Sequence, residues 1–570
     1  MKENATFDVV IANSGASVPV TLGTPLLEIS EKYCNSVTDP KTGEKFPVIA
    51  ALVDHKLKEL SYRVSVMSEI QFIGYNDENG RRTYARSLCF LLQKAVRDIL
   101  PGKVLIICHS LPSGMYCTIL ESPHGEVYKI TDEEIDTLQR RMEALVAADL
   151  PFGKEYVQAS MAKELFLSQG QPDKAELIES IGKYTSKLYS LDGYRDSFYG
   201  PLVPSTKYLT NFALSPFSEG FCLKMPMMGN FSKLLPMSRQ SKISTTLTEY
   251  AQWCSIIHIN GLGTLNRGIR AGYANLIINV AEALHSRKYA AIADEIKARG
   301  SNIVFIAGPS SSGKTSTSLR IALQCCVLGL NPKVIELDNY FLNREQTPRD
   351  ENGEYDFESL YAMDLKLLGE NIMDLLAGKE VVIPKFDFKT GSRVEGGGTP
   401  MRLGPRDILI MEGIHALNPE MVPMVPPEKI FRVYASALTS LYMDENNSIS
   451  TSDNRLLRRM IRDNRVRGIS PEETILRWPS VRRGEARNIF PFQENADAIF
   501  NTALIFELPL LKYYAEPLLR RIRPDSPAYT EAVRMLKFLS YIVALTPEEI
   551  AAVPPTSIMR EFIGGQMLTR

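Results

Sequence analysis

The sequence predicts a multidomain α/β chain whose C-terminal half is a doubly wound parallel sheet around a phosphate-binding loop. Three observations predict it. Residues 302–315 read NIVFIAGPSSSGKT: a short β-branched apolar run, then eight residues that fit G-x-x-x-x-G-K-[ST] at every fixed position. Strand-like apolar runs recur at 334–337, 408–411, 431–435 and 498–500, separated by helical stretches such as 365–376. Strands alternating with helices argue for a parallel sheet with ligands bound beyond its C-terminal strand ends. Finally, 570 residues with 44% hydrophobic content can bury several cores.

Composition excludes some partners. Lys and Arg number 65 against 66 Asp and Glu, so no strong polyelectrolyte partner, DNA included, is implied. The eight cysteines include no C-x-x-C pair, and the adjacent Cys325 and Cys326 point to different faces of a helix. A reduced, cytoplasmic protein is expected. The first residues, MKENATFDVV, lack the apolar core of a signal peptide. No apolar run approaches the roughly 18 residues of a membrane span.

In chain order, residues 6–75 alternate short strand-like runs (7–11, 18–22, 48–53, 70–72) with turns. Residues 50–64, AALVDHKLKELSYRV, resemble the end of a TGS module, a ubiquitin-like β-grasp fold. ARSLCFLLQKAVRDILPGKVLIICHSLPSGMYCTI (85–119), KELFLSQGQPDKAELIESI (163–181) and DGYRDSFYGPLVPSTKYLTNFAL (192–214) resemble the editing domain of threonyl-tRNA synthetases, in that family's order. The resemblance implies four metal-binding or water-activating positions. Arg86, Phe90, Phe198 and Leu202 occupy them here. Phenylalanine and leucine ligate no metal, and arginine stays protonated. The expectation is an α+β domain over 76–235 that has lost editing chemistry, behind a β-grasp module over 1–75. TGS-bearing proteins often touch RNA, so RNA or tRNA remains a partner to test, although no basic stripe supports it. His109, His124, His258 and His285 are scattered and expected to be structural. Residues 236–300 read as a helical connector, 281–299 carrying apolar residues at three- and four-residue spacing.

The phosphate loop comes next, and its order of parts is what the chemistry needs. Gly308 and Gly313 let the loop curl so that the N–H groups of Ser310, Ser311 and Ser312 face phosphate oxygens. The following helix, expected over 316–330, adds unpaired donors at Lys314, Thr315 and Ser316. Lys314 reaches the β- and γ-phosphates, and the Thr315 hydroxyl suits Mg²⁺.

Further motifs fall at the expected strand ends: ELDNYF (336–341), PKFDFKTGSR (384–393) and DILIMEGIHAL (407–417). With these in order, residues 302–519 resemble the uridine kinase and phosphoribulokinase family. The family's lid helix matches RLLRRMIRDNRVRG (455–468), in which Arg455, Arg458, Arg459 and Arg462 fall on one side of a helix. A solvated basic helix is the plain alternative. The resemblance implies Asp338 as the catalytic aspartate that takes or orients the acceptor proton. It implies Thr315, Asp338 and Glu412 around Mg²⁺, and Lys314 with lid arginines, Arg455 and Arg459 among them, on the transferring phosphoryl group of ATP. On the acceptor side it implies Phe386 and Phe388 against a nucleoside, Arg393 in the same loop, and Glu358 on the ribose hydroxyls, with Asp356 as the alternative. Uridine–cytidine kinases usually carry a base-contacting histidine where Gly391 stands, so base recognition is expected to be looser, with room left beside the glycine.

The expected activity is ATP-dependent phosphorylation of a ribonucleoside 5′-hydroxyl. The alternatives are a kinase of another hydroxylated metabolite, such as a sugar phosphate, and an ATP-gated RNA-binding regulator.

Overall fold

The computed structural model describes residues 5–237, 241–349, 353, 355–387, 390–439 and 441–568. Phe388 lies outside them.

The first 75 residues form a mixed five-stranded sheet. Thr6–Ile11 pairs antiparallel with Ala16–Thr21 and parallel with Glu69–Ile73, which also pairs antiparallel with Ala50–Val53. Alternation explains the sheet: Val9, Ile11, Val18 and Val20 point inward onto Leu26 and Ile29 of the helix Leu26–Tyr33. A second unit follows. Its long helix, Glu78–Ile99, is N-capped by Asp77, whose side chain accepts from Asn79 N. That helix packs with a four-stranded antiparallel sheet (residues 104–120 and 213–224) and a three-stranded one (153–196).

The C-terminal half is built on five parallel strands: β1 (Ile303–Ala307), β2 (Asn331–Glu336), β3 (Asp407–Glu412), β4 (Ile430–Ser436) and β5 (Ala498–Asn501), in spatial order 2-3-1-4-5. Residues of β1 alternate between two buried layers. Ile303, Phe305 and Ala307 face Leu368 and Ile372 of α2 (Leu365–Leu376), while Val304 and Ile306 face Ile321 and Cys325 of α1 (Lys314–Val327). Both faces are covered, which is why the strands read as continuous apolar runs.

The connector is helical, Ser241–Ile256, Leu262–Arg270 and Ala274–Arg299. It shares one apolar core with α3 (Thr451–Arg462), α4 (Pro471–Asn488), α5 (Glu507–Leu519) and α6 (Tyr529–Leu539). The hairpin of residues 442–448 plugs the two halves together. The Glu445 carboxylate accepts from the N–H groups of Asp173 and Lys174, capping the helix Pro172–Ser180, and buried Lys174 sits between Asp196 and Asp444. Among the described residues no helix is long and apolar enough to cross a membrane.

Among the boundaries that differ from expectation, two matter most. α1 begins at Lys314, because Gly313 adopts φ +87° and turns the chain straight into the first turn. β2 stops at Glu336, and residues Leu337–Tyr340 form a 3₁₀ turn that carries Asp338 past the strand end.

Candidate active site

The site grows from the β1–α1 junction. The N–H groups at the start of α1 have no carbonyl one turn back to accept them, so they face the loop's hollow. Ser311 sits at φ +58°, a left-handed conformation rare for serine. The Ser311 and Ser312 hydroxyls are buried without a hydrogen-bond partner among the described residues. A curled loop with strained backbone and unsatisfied donors is the expected form of an anion cradle.

Around it stand the groups that the strand ends supply. Lys314 Nζ donates to Pro309 O at 3.3 Å, folded back over the loop. Thr315 Oγ1 donates to Glu412 Oε1 at 2.7 Å, so the end of β3 meets the start of α1. Burial raises the Glu412 carboxyl to about 7, against the opposing pull of Lys314. Asp338 is raised by burial too, opposed by Lys314 and Arg467. Glu358 reaches about 7, through burial and then the neighbouring Glu485, opposed by Arg459 and Lys314. The fold thus brings Lys314, Asp338, Glu358, Glu412 and Arg459 into one electrostatic neighbourhood. Buried carboxylates held above their ordinary range next to a hydroxyl oxygen are a donor set that suits a hard divalent cation. Thr315, Asp338 and Glu412 fit such an ion.

The lid helix divides its arginines. Arg459 faces the loop: Nη1 donates to Ser310 Oγ at 2.7 Å, and Nε lies 3.3 Å from Asp463. Arg455 sits beneath it, fully buried, with Nε donating to Ser310 O at 2.9 Å and Nη2 paired with Glu485. Arg458 is buried with Glu507 and donates to Thr502 O. Arg455 was expected beside Arg459 on the phosphoryl group. The two lie on the same side of the helix, but α4 brings Glu485 against Arg455, which is drawn into the core and braces the loop.

On the acceptor side, Phe386 is half-buried against Phe341, ring centroids 5.8 Å apart. Arg393 is engaged differently from expectation. Its Nε and Nη2 donate to Phe341 O and Tyr340 O, and its Nη1 to Asp364, so it staples the loop that carries Asp338. Asp356 accepts from Glu358 N at 3.1 Å, which orients the Glu358 segment. The room expected beside Gly391 is taken: a Cβ there would lie 2.8 Å from Arg344 Nε.

Sequence reading missed two carboxylates. Glu485 of α4 accepts from Ser310 N at 3.1 Å while pairing with Arg455. It lies in WPSVRRGEARNIFPF (478–492), a stretch rich in arginines and aromatics where a lone glutamate carries no signal. Glu561, on the short helix Met559–Ile563, accepts from Ser316 N at 3.3 Å and Ser316 Oγ at 2.7 Å. Gln566 Nε2 adds a bond to the same hydroxyl, and Ile558 packs on Gly313. With 245 residues between partners, no local pattern could announce that contact.

In the N-terminal half the four positions of the synthetase resemblance do converge. Phe90 and Phe198 are buried with ring centroids 5.1 Å apart, Leu202 is buried in the same core, and Arg86 Nη1 donates to Pro201 O at 2.6 Å.

Residues 303–505 match the phosphoribulokinase / uridine kinase family. The uridine kinase of Macrococcus caseolyticus (strain JCSC5402) is 31% identical over 198 residues, covering 35% of this chain and 86% of that protein. The threonine–tRNA ligase of Francisella tularensis subsp. novicida (strain U112) is 27% identical over 175 residues, 30% of this chain and 26% of the ligase. The chain therefore spans about a quarter of the length of the ligases it matches. A solved structure described as a possible uridine kinase from Bacillus stearothermophilus aligns over 35% of this chain and 88% of its own, at 16% identity and TM-score 0.23.

Proposed function

The chain belongs to the phosphoribulokinase / uridine kinase family, and from that premise we propose that it transfers the γ-phosphate of ATP to the 5′-hydroxyl of a ribonucleoside. The observation that carries this reading is the convergence of Lys314, Asp338, Glu358, Glu412 and Arg459 on the N-terminus of α1. The P-loop N–H groups and Lys314 bind the phosphates. Thr315, Asp338 and Glu412 would hold Mg²⁺, which would supply neutralisation of phosphate charge when bound. Asp338, raised by burial toward neutrality, accepts or orients the acceptor's proton. Arg459 closes from the lid, and positioning with electrostatics carries the rest of phosphoryl transfer. Glu358 suits a vicinal diol and the Phe386 ring suits a flat base.

A sugar phosphate is the second reading, and one observation favours it. Arg344 is exposed, lies against Gly391 and has no carboxylate within 4 Å among the described residues, so it can meet an acceptor's own phosphate. The experiment is a panel of ribonucleosides, 2′-deoxynucleosides and sugar phosphates with Mg²⁺-ATP, scored by kcat/KM. Turnover of ribonucleosides above their deoxy forms supports the first reading. Turnover of sugar phosphates alone replaces it.

For the N-terminal half we read a β-grasp module and an editing-type domain without editing chemistry. Its former centre is aromatic core plus one arginine. Metal analysis of purified protein should find no stoichiometric zinc, and mischarged tRNA should not be deacylated. Zinc bound within residues 76–235 would overturn this.

A further inference from the structure

Around Gly200 three elements bring cations together without an answering carboxylate. Arg86 comes from the helix Glu78–Ile99 and Lys187 from the strand Thr185–Leu191. Lys537 comes from α6 at the other end of the chain. Arg86 lies flat on Gly200, where any Cβ would collide with its guanidinium, and donates to Pro201 O at 2.6 Å. Lys187 Nζ donates to Gly200 O at 3.4 Å and to Tyr189 Oη at 2.7 Å. Lys183 stands at the edge, over the Tyr541 ring. Among the described residues none of these four cations has a carboxylate within 4 Å. The nearby Glu59 is already held by Lys154 and by the Tyr189 hydroxyl.

Such a cluster is costly in the unliganded chain. Arg86 and Lys187 are half-buried, so water screens them incompletely, and their charges repel. Burial is the main force lowering Lys187, well below its ordinary value, and Arg86, to about 10. Lys537 is lowered too, to about 8, by partial burial and then by Arg86 and Lys183, but its exposed side chain leaves that shift screened by water. Lys537 and Arg86 add to the lowering of Lys187. The groups facing Lys537 are Arg86, Lys183 and Lys154, with Glu59 alone opposing. Elsewhere the fold pairs its buried cations closely, as Lys174, Arg455 and Arg458 show. A half-buried guanidinium fork with two ammonium groups matches a dianion with several acceptor oxygens better than it matches a monocarboxylate.

We propose that the junction around Gly200, walled by Arg86, Lys187 and Lys537, is a second anion site that takes the phosphate groups of a small phosphorylated metabolite. It shares no residue with the phosphate loop, and the inference does not rest on the kinase reading. Lys183 and Lys537 are exposed to solvent, and Arg86 and Lys187 are half-buried.

The test uses the full chain carrying Lys314→Ala, which weakens the phosphate loop as a competitor. Titration calorimetry with pyrophosphate should show one site, and inorganic phosphate should bind the same site more weakly. Lys537→Gln and Lys187→Gln should each weaken pyrophosphate about ten-fold, the scale of one desolvated charge contact. The paired surface cation Lys288, changed to Gln, should leave it unaltered. Lys537 is an exposed side chain, so its variant keeps the test open if Lys187→Gln fails to fold. Near pH 8.5, binding should take up protons, because an anion restores the charge on a lysine held near 8. That uptake, read in buffers of different ionisation enthalpy, should shrink in Lys537→Gln. Absence of a pyrophosphate site in the Lys314→Ala chain would overturn the proposal. So would a site indifferent to both lysine variants, or binding of an RNA oligonucleotide without binding of the small anions.

Discussion

The phosphate loop and the Gly200 junction are both cationic, and they treat charge in opposite ways. At the loop the lid arginines are met by the chain's own carboxylates: Arg455 by Glu485, Arg458 by Glu507, Arg459 and Arg462 by Asp463. Even the Ser316 N–H has the Glu561 carboxylate on it. At the junction Arg86 and Lys187 have only carbonyls and a phenol, and Lys537 has no carboxylate within 4 Å among the described residues. The first region is a site assembled before its ligand arrives, so an incoming phosphate competes with internal acceptors. The second gains most from a ligand, because only Glu59, already held by Lys154 and Tyr189, opposes its repulsion. Substitutions should therefore carry opposite signs in the two places.

The largest effect is expected at the loop itself. Lys314→Ala should cut kcat/KM to background with the fold retained. Asp338→Asn should lower kcat by about 10²–10⁴, the usual worth of a positioned base. Steady-state assays on the acceptor that the substrate panel identifies measure both. Near-normal turnover in Asp338→Asn would move the acceptor's proton to another group.

Next is the internal pairing. Glu485→Ala leaves Arg455 buried without a counter-charge and frees Ser310 N. Loss of one partner of a buried pair costs about 3–5 kcal/mol, read by denaturant unfolding of the nucleotide-free protein. A loss below about 1 kcal/mol would mean that water reaches Arg455.

Third is the competition at Ser316. The Glu561 carboxylate accepts from a donor at the start of α1 that also suits a phosphate oxygen. Glu561→Gln keeps the shape and removes the charge, so ATP should bind about 3–10 times more tightly, the scale of one charge-assisted hydrogen bond at a partly exposed site. Weaker binding would instead make Glu561 a group that helps to hold the nucleotide.

What the sequence made legible follows from how local each signal is. The strand–loop–helix around Gly308 to Ser316 is contiguous, and its glycines, lysine and hydroxyls are readable without tertiary information. The five strands were legible because a parallel sheet covered on both faces leaves continuous apolar runs. Arg455 and Arg459 read alike, since spacing puts both on one side of a helix. Only the position of α4, which brings Glu485 underneath, separates them. Arg393 looked like a substrate contact because its acceptors are backbone carbonyls and Asp364, none of which has a motif. The room imagined at Gly391 was a property of the glycine alone, and Arg344 comes from 47 residues away. The junction cations come from positions 86, 187 and 537, and only the fold of the whole chain assembles them.

The smallest effect, on stability against pH, tests the comparison most directly because its sign differs between the regions. Glu412 is held near 7 in the folded chain, above the ordinary 4.5 of an exposed glutamate. Between those values the folded state binds more protons than the unfolded one, so its contribution is full below about 4.5 and is lost as pH rises through 7. Lys537 is held near 8, below the ordinary 10.5. Between 8 and 10.5 the unfolded state binds more protons, so stability rises with pH as the junction sheds charge. Differences between each variant and the parent cancel the other titrating groups. Relative to the parent, Glu412→Gln should therefore gain in melting temperature from pH 5 to 7.5. Lys537→Gln should start ahead of the parent at pH 7.5 and lose that lead by pH 10. The Glu412→Gln shift should be about 1–3 °C in a chain of this size and the Lys537→Gln shift smaller, because water screens that exposed side chain, both measured by scanning calorimetry without nucleotide or divalent cation. Saturating phosphate should erase the Lys537→Gln advantage, because a bound anion supplies the counter-charge that the parent lacks. If Lys537→Gln is less stable than the parent at pH 7.5 without phosphate, the junction lysine is a structural contact and the contrast between the two regions fails.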